Sequence, residues 1–248
     1  MILRIGQLAA DPDAPFPPVA HALPEPDGLL AFGGDLSPTR LLNAYRHGIF
    51  PWYSQGEPIL WWTPSQRAVL RTDGVHLSTR LRRSLRTTAW SVRADTAFAD
   101  VIAACAQAPR AGQAGTWITP AMQRAYCELH GLGHAHSIEV FAGERLVGAV
   151  YGVVVGRMFC GESMFSAQSG ASSAALAALA LRLHAWGWPL LDAQVPNAHT
   201  RRLGVETWPR DVYLQALCGL RDLPEPAANW TTRFAEIAAA ELADLSAA

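Results

Sequence analysis

The run from His136 to Phe165 constrains the fold most tightly. Three strand-like stretches, His136–Phe141, Leu146–Val155 and Arg157–Phe165, follow one another with Gly143 and Gly156 where hairpin turns are needed. Strand-forming residues joined by short glycine-bearing turns pair with their neighbours, so this spacing predicts an antiparallel meander. Gly170 to Trp186 is rich in Ala and Leu and is followed by Gly187, which predicts a helix and its stop. Trp188–Leu191 then reads as another strand. A short helix from about Asn197, a strand near Val205–Trp208 and a helix over about Pro209–Leu217 complete the series.

Meander, helix, strand, helix, strand is an α+β arrangement. It is compatible with the acyltransferase fold called GNAT, preceded by a small domain. In that leading part, the Pro- and Asp-rich segment 11–28 predicts irregular extended chain. Ser37 before Pro38 has the pattern of an N-cap with proline in the first turn, Leu41, Leu42 and Tyr45 form an apolar stripe, and Gly48 is placed to end that helix. Phe50, Trp52, Tyr53, Trp61 and Trp62 then crowd into thirteen residues. They serve either a core or a surface on which a ring or base stacks.

Further along, Ala68–Leu70 reads as a short strand and Ser78–Arg86 as a basic helix. Asp95 is expected to cap a helix through FADVIAACAQA, and Pro109–Gly115 to form a loop. Thr119-Pro120 opens a helix through Met122, Tyr126 and Leu129. After Pro224 the chain is polar, then helical through FAEIAAAELADL, and expected to be peripheral.

Composition removes several chemistries. All 20 Lys+Arg positions are arginine, so neither a Schiff-base lysine nor a Walker-type phosphate lysine exists. No apolar run approaches the ~18 residues of a membrane span, and the first residues lack a signal peptide's pattern. Cys105, Cys127, Cys160 and Cys218 are widely spaced with no C-x-x-C, which fits a reduced cytoplasm. The formal net charge is −1, yet Arg80, Arg82, Arg83, Arg86 and Arg93 cluster with no acidic residue between Asp73 and Asp95. That cluster is either a solvated helix face or a phosphate-contacting patch.

The stretch LLDAQVPNAHTRRLG (190–204) places Asp192 and Gln194 straight after an apolar strand run. Alternation along a strand would put both on one face. A buried carboxylate needs partners, so the two either satisfy each other structurally or face a site. Other constellations fail. Gly161-Glu162-Ser163-Met164-Phe165 lacks the second glycine of a hydrolase elbow. His130, His134 and His136 with Glu139 contain no H-E-x-x-H, and terminal histidines commonly serve helix-end carbonyls. A CoA-dependent N-acetyltransferase needs a glycine-bearing phosphate loop before the helix that follows the meander. Here Ala171 and Ser173 stand where the glycines would be.

GLLAFGGDLSPTRLLNAYRHGIFPWYSQGEPILWWTPSQRAVL (28–70), GTWIT (115–119), AHSIEVF (135–141), FCGESMFS (159–166) and LLDAQVPNAHTRRLG (190–204) together resemble the leucyl/phenylalanyl-tRNA–protein transferases. The resemblance implies a small N-terminal α/β domain (1–66), a GNAT-like catalytic domain (67–224) and a peripheral tail (225–248). It implies a cytoplasmic enzyme without CoA, other cofactor or metal. Leu or Phe, and Met less readily, would pass from aminoacyl-tRNA to the α-amine of proteins beginning with Arg or Lys, marking them for degradation by the N-end rule route. By motif position, Asp192 and Gln194 match the family's catalytic pair. Tyr45, Trp52, Trp117 and Tyr126 match aromatics around the terminal adenosine, and Phe159, Glu162 and Leu191 match the aminoacyl site. The tRNA phosphates would meet Arg80, Arg82, Arg83 and Arg86. Two departures stand out: Ser173 replaces a common lysine, and Leu179 replaces a pocket phenylalanine of some members. The expected mechanism has Asp192 holding the Gln194 NH2 group while the amide oxygen, or the tRNA ribose hydroxyl, receives the amine's proton. A non-catalytic tRNA-binding module is the remaining alternative.

Overall fold

The computed structural model of the chain describes residues 5–108, 116–224 and 229–245. The expected loop Pro109–Gly115 lies outside the described residues. The chain begins with β1 (Gly6–Leu8), β2 (Leu29–Gly33), α1 (Pro38–Arg46), β3 (Phe50–Pro51) and β4 (Leu60–Trp62). These strands form a sheet in the order β1-β2-β4-β3. Next come β5 (Gln66–Arg71), α2 (Thr79–Thr87), β6 (Trp90–Ala94), α3 (Phe98–Gln107), α4 (Pro120–Gly131), β7 (Ala135–Ala142), β8 (Arg145–Val155) and β9 (Met158–Ser166). The chain continues through α5 (Ala171–Ala185), β10 (Leu190–Gln194), α6 (Ala198–Arg202), β11 (Glu206–Pro209), α7 (Arg210–Leu220), α8 (Trp230–Phe234) and β12 (Ile237–Ala238). The second sheet runs β11-β5-β10-β9-β8-β7-β6-β12. Among the described residues no helix is long and apolar enough to cross a membrane.

Local chemistry places the elements. Ser37, Ser78 and Thr119 each accept a backbone N–H from the first turn of α1, α2 and α4. The β7-β8-β9 meander turns at Gly143 (φ +62°) and Gly156 (φ +59°). At Gly156 a side chain would meet the Leu220 carbonyl oxygen at 2.3 Å, so that turn admits no Cβ. Alternation divides the second sheet between two cores. Ala68, Leu70, Val150 and Val154 face one beside α5, while Val69, Ala149, Tyr151 and Val153 face the other beside α1, α3, α4 and α7. Leu30, Tyr45 and Trp61 of the leading segment belong to that second core, so the two sheets share one apolar interior.

Two expectations are corrected. Asp95 does not cap α3, which starts at Phe98 after Ala97 without a side-chain cap. Asp95 sits at φ +58° and turns its carboxylate to the Ser137 N–H and to His136 Nδ1. The tail is not a peripheral helix either. Trp230, Phe234, Ile237 and Leu242 are buried in the first core, and β12 pairs with β6. A short apolar segment reads as optional from sequence because its burial depends wholly on distant partners.

Candidate active site

The site forms where β9 and β10 part. These strands run parallel only through Leu190↔Met158, Leu191↔Phe159 and Asp192↔Cys160. Beyond that point β10 carries a bulge between Asp192 and Gln194, and Gln194 takes φ +58°. The bulge breaks strand alternation, so Asp192 and Gln194 do not form the expected side-by-side pair. Asp192 turns inward and is fully buried, while Gln194 reaches the notch opened beside Gly161 and Glu162.

Asp192 is held by its surroundings. Its Oδ1 accepts from Arg67 Nε (2.8 Å) and from the Gln194 backbone N–H (2.9 Å). Its Oδ2 accepts from Arg67 Nη2 (2.6 Å) and Tyr213 OH (2.9 Å). Arg67 also donates to the Gly48 carbonyl at 3.0 Å and lies between the Phe50 and Tyr213 rings. Asp192 therefore fixes the backbone of the bulge rather than the Gln194 NH2 group, which corrects the expected arrangement.

The Gln194 NH2 group instead donates to Glu162 Oε1 at 2.5 Å. Tyr45 OH donates to the same oxygen at 2.7 Å and Tyr126 OH to Oε2 at 2.9 Å, while the two phenols also contact each other. The three oxygen–oxygen contacts close a ring of Tyr45, Tyr126 and Glu162. Burial drives the Glu162 pKa up to about 7, offset in part by the hydrogen bonds from Tyr45, Tyr126 and Gln194. The same burial, with Glu162 nearby, raises both tyrosines well above their ordinary range.

Two hollows meet at Glu162, and a third adjoins them at Trp52 and Trp117. The innermost, about 230 Å³, has Val150, Met164, Leu176, Leu191 and Val205 among its walls and Glu162 at its mouth. A wider cleft of about 840 Å³ runs past Gln194, Phe50, Trp52 and Trp117 to His199 and Arg202. A third hollow, about 750 Å³, lies along Trp52, Trp62 and Trp117. Trp52 is 37% exposed and packs against Trp62 with ring centroids 5.9 Å apart.

The anticipated residues thus separate. Trp52, Trp117, Glu162, Leu191 and Gln194 line these hollows. Tyr45 and Tyr126 have no exposed surface and act on the cavity through Glu162. Phe159 and Leu179 are fully buried in the core that also contains Leu176 and Leu191, and neither lines these three hollows. Ser173 is buried in the first turn of α5, where Ser166 Oγ accepts the Ser172 N–H at 2.9 Å. In the arginine cluster, Arg82 donates to the Leu77 and Ala243 carbonyls, Arg86 pairs with Asp244 and Arg93 with Glu236. Arg80 and Arg83 remain exposed. Arg67, Tyr213, Met164, Leu176 and Arg202 were not anticipated. Arg67, Met164 and Arg202 fall inside the quoted motifs, and Arg67 also stands out as an arginine directly before the apolar Ala68–Leu70.

A hollow walled by Val150, Met164, Leu176 and Leu191 on one side and Asn197, His199 and Thr200 on the other, beside a carboxyl–amide contact and adjoining a tryptophan-lined cleft, fits a transferase that holds an apolar acyl group on a ring-bearing carrier. The family model for leucyl/phenylalanyl-tRNA protein transferase matches residues 69–218, and that family's N-terminal domain matches residues 34–65. A leucyl/phenylalanyl-tRNA–protein transferase of Xanthomonas campestris pv. campestris (strain B100) is 62% identical over 236 residues, covering 95% of each chain. A namesake from Xylella fastidiosa (strain M23) is 58% identical over 229 residues, covering 92% of this chain and 94% of the relative. The chain belongs to the leucyl/phenylalanyl-tRNA–protein transferase family, and it is an aminoacyl transferase acting between tRNA and protein.

Proposed function

We propose that the enzyme moves Leu or Phe, and Met less readily, from aminoacyl-tRNA to the α-amine of proteins beginning with Arg or Lys, in the cytoplasm. Such transfer would mark those proteins for the N-end rule route. The observation that carries this reading is the Glu162–Gln194 contact where the inner hollow adjoins the wider cleft. A Leu, Phe or Met side chain filling that cavity would bring its ester carbonyl to the contact, with the nucleoside along Trp52 and Trp117. Shape alone discriminates modestly, about 1–3 kcal/mol per methylene, so some acceptance of Met is expected.

The ester is already activated, and an N-terminal amine has a pKa of about 7.7–8.0. A neutral amine is therefore available near pH 7, and the enzyme's task is positioning. With its NH2 group committed to Glu162, Gln194 presents its amide oxygen to the incoming amine. The amide accepts a hydrogen bond from the nitrogen as it becomes ammonium-like during attack, and the surplus proton passes to the tRNA ribose oxygen, which leaves as a hydroxyl when the ester bond breaks. Arg67, Asp192 and Tyr213 act by holding the bulge from which Gln194 projects.

A GNAT-type architecture is supported by the β7-β8-β9 meander, α5 and the parting of β10 from β9. CoA use is disfavoured because Ser166 already occupies a first-turn amide of α5. The test supplies labelled Leu-tRNA with a peptide beginning with Arg, and acetyl-CoA in a parallel reaction. Label should pass from Leu-tRNA to the peptide. Acetyl transfer without leucyl transfer would overturn the reading, and binding of tRNA without any transfer would leave a binding module.

A further inference from the structure

The three adjoining hollows contain an uneven distribution of charge. Glu162 lies at the innermost junction and Glu57 on the outer wall. Among the described residues Arg202, at the end of α6, is the sole arginine lining any of the three. It is exposed, and its guanidinium forms no hydrogen bond or ion pair among the described residues. This separates it from Arg82, Arg86 and Arg93, which are engaged by the C-terminal segment. Beside it, burial and then the Arg202 charge lower the His199 pKa, and Arg202 is the arginine of this cleft among the described residues.

We propose that Arg202 receives the phosphate immediately 5′ of the donor's terminal nucleoside, an inference that rests on the aminoacyl-tRNA reading above. With the acyl side chain in the innermost cavity and the ester at Glu162–Gln194, the nucleoside runs outward between Trp52 and Trp117. Its first charged group is that phosphate, and it emerges on the stretch of cleft that His199 and Arg202 line. A phosphate brought near a carboxyl in a partly enclosed cleft needs a cation. A guanidinium supplies both charge and a planar pair of donors. Such a contact fixes how far the nucleoside enters and carries no base information. His199 offers an imidazole alongside it.

The experiment compares three donors of the same phenylalanyl ester: Phe-tRNA, the ester of adenosine 5′-monophosphate and the ester of unphosphorylated adenosine. Transfer to a peptide beginning with Arg is measured as kcat/KM for wild type, Arg202→Ala and Arg202→Lys. Wild type should prefer the 5′-phosphorylated nucleoside over the unphosphorylated one. Arg202→Ala should reduce that preference about tenfold, the scale of one charge-assisted hydrogen bond, and Arg202→Lys should restore part of it. The KM for Phe-tRNA should rise in Arg202→Ala and become less sensitive to salt. An unchanged preference in Arg202→Ala, or no phosphate preference in wild type, overturns the Arg202 assignment while leaving aminoacyl transfer standing. Failure of wild type with all three donors overturns the functional reading itself, and this inference with it.

Discussion

Arg67 and Asp192 meet as a bidentate ion pair at 2.8 and 2.6 Å, with side chains 1% and 0% exposed. Each Asp192 oxygen accepts two hydrogen bonds, from Arg67 and Gln194 on one side and Arg67 and Tyr213 on the other. Few lone-pair directions remain for a substrate. Removing one partner of a buried pair leaves an uncompensated charge and costs about 3–5 kcal/mol. Arg67→Ala is therefore expected to lower unfolding stability by that amount in urea titration. Tyr213→Phe should cost about 1–3 kcal/mol, because it deletes one hydrogen bond to a charged group. An Arg67→Ala protein of wild-type stability would show that the pair does not hold the bulge.

The same geometry separates Asp192 from Gln194. Gln194→Ala removes an amide that faces the cleft, and should lower kcat by about 10²-fold, the scale of lost positioning, while the melting temperature stays close to wild type. Asp192→Ala leaves Arg67 buried without its carboxylate, so both kcat and melting temperature should fall. Calorimetry beside single-turnover transfer makes the comparison. Equal melting losses in the two variants would contradict the division between a residue at the cleft and one that positions it.

Much of this frame was legible in the chain, and the illegible part has a common cause. Ser37, Ser78 and Thr119 announce their helices because a cap acts on amides only three residues away. The meander is legible because its turns are glycines with strand-forming residues on both sides. Arg67 gives no sign that it will meet Asp192, 125 positions later. The bulge at Gln194 likewise depends on the Arg67–Asp192–Tyr213 frame rather than on local propensity, and Asn or Gly would be commoner at its positive φ. Two-residue strands such as β3 and β12 exist only through their partners. The family resemblance pointed to Glu162, but its link through Tyr45 and Tyr126 required the fold.

Glu162 and Glu139 both have pKa values raised from 4.5 to about 7, in each case chiefly by burial. The folded protein then binds more protons than the unfolded chain between pH 4.5 and about 7. Stability should consequently fall as pH rises through that window and level off above it. Glu162→Gln and Glu139→Gln should each flatten the dependence of melting temperature on pH. Only Glu162→Gln should also change the pH profile of transfer, since Glu139 is bonded to Ser137 and Thr96 and does not line the hollows. A melting temperature that rises from pH 5 to pH 7 in wild type but not in the variants would reverse the assigned sign.

The basic helix α2 carries its arginines in two different settings. Arg82 donates to the Ala243 carbonyl at 2.9 Å and so ties α2 to a C-terminal segment whose Trp230 is buried against Trp186 and Trp188. Arg80 and Arg83 point to solvent from the same helix and are the ones free to meet tRNA phosphates. Arg80→Glu with Arg83→Glu should weaken tRNA binding and reduce its salt slope by about 1 per lost contact, at nearly constant melting temperature. Trp230→Ala should instead cost about 3–5 kcal/mol of stability, and Arg82→Ala should lower stability in the same direction. Filter binding across a salt series, paired with thermal melts, reads both effects. A salt slope that responds to Arg82→Ala but not to the Arg80/Arg83 pair would place the tRNA contact on the wrong side of the helix.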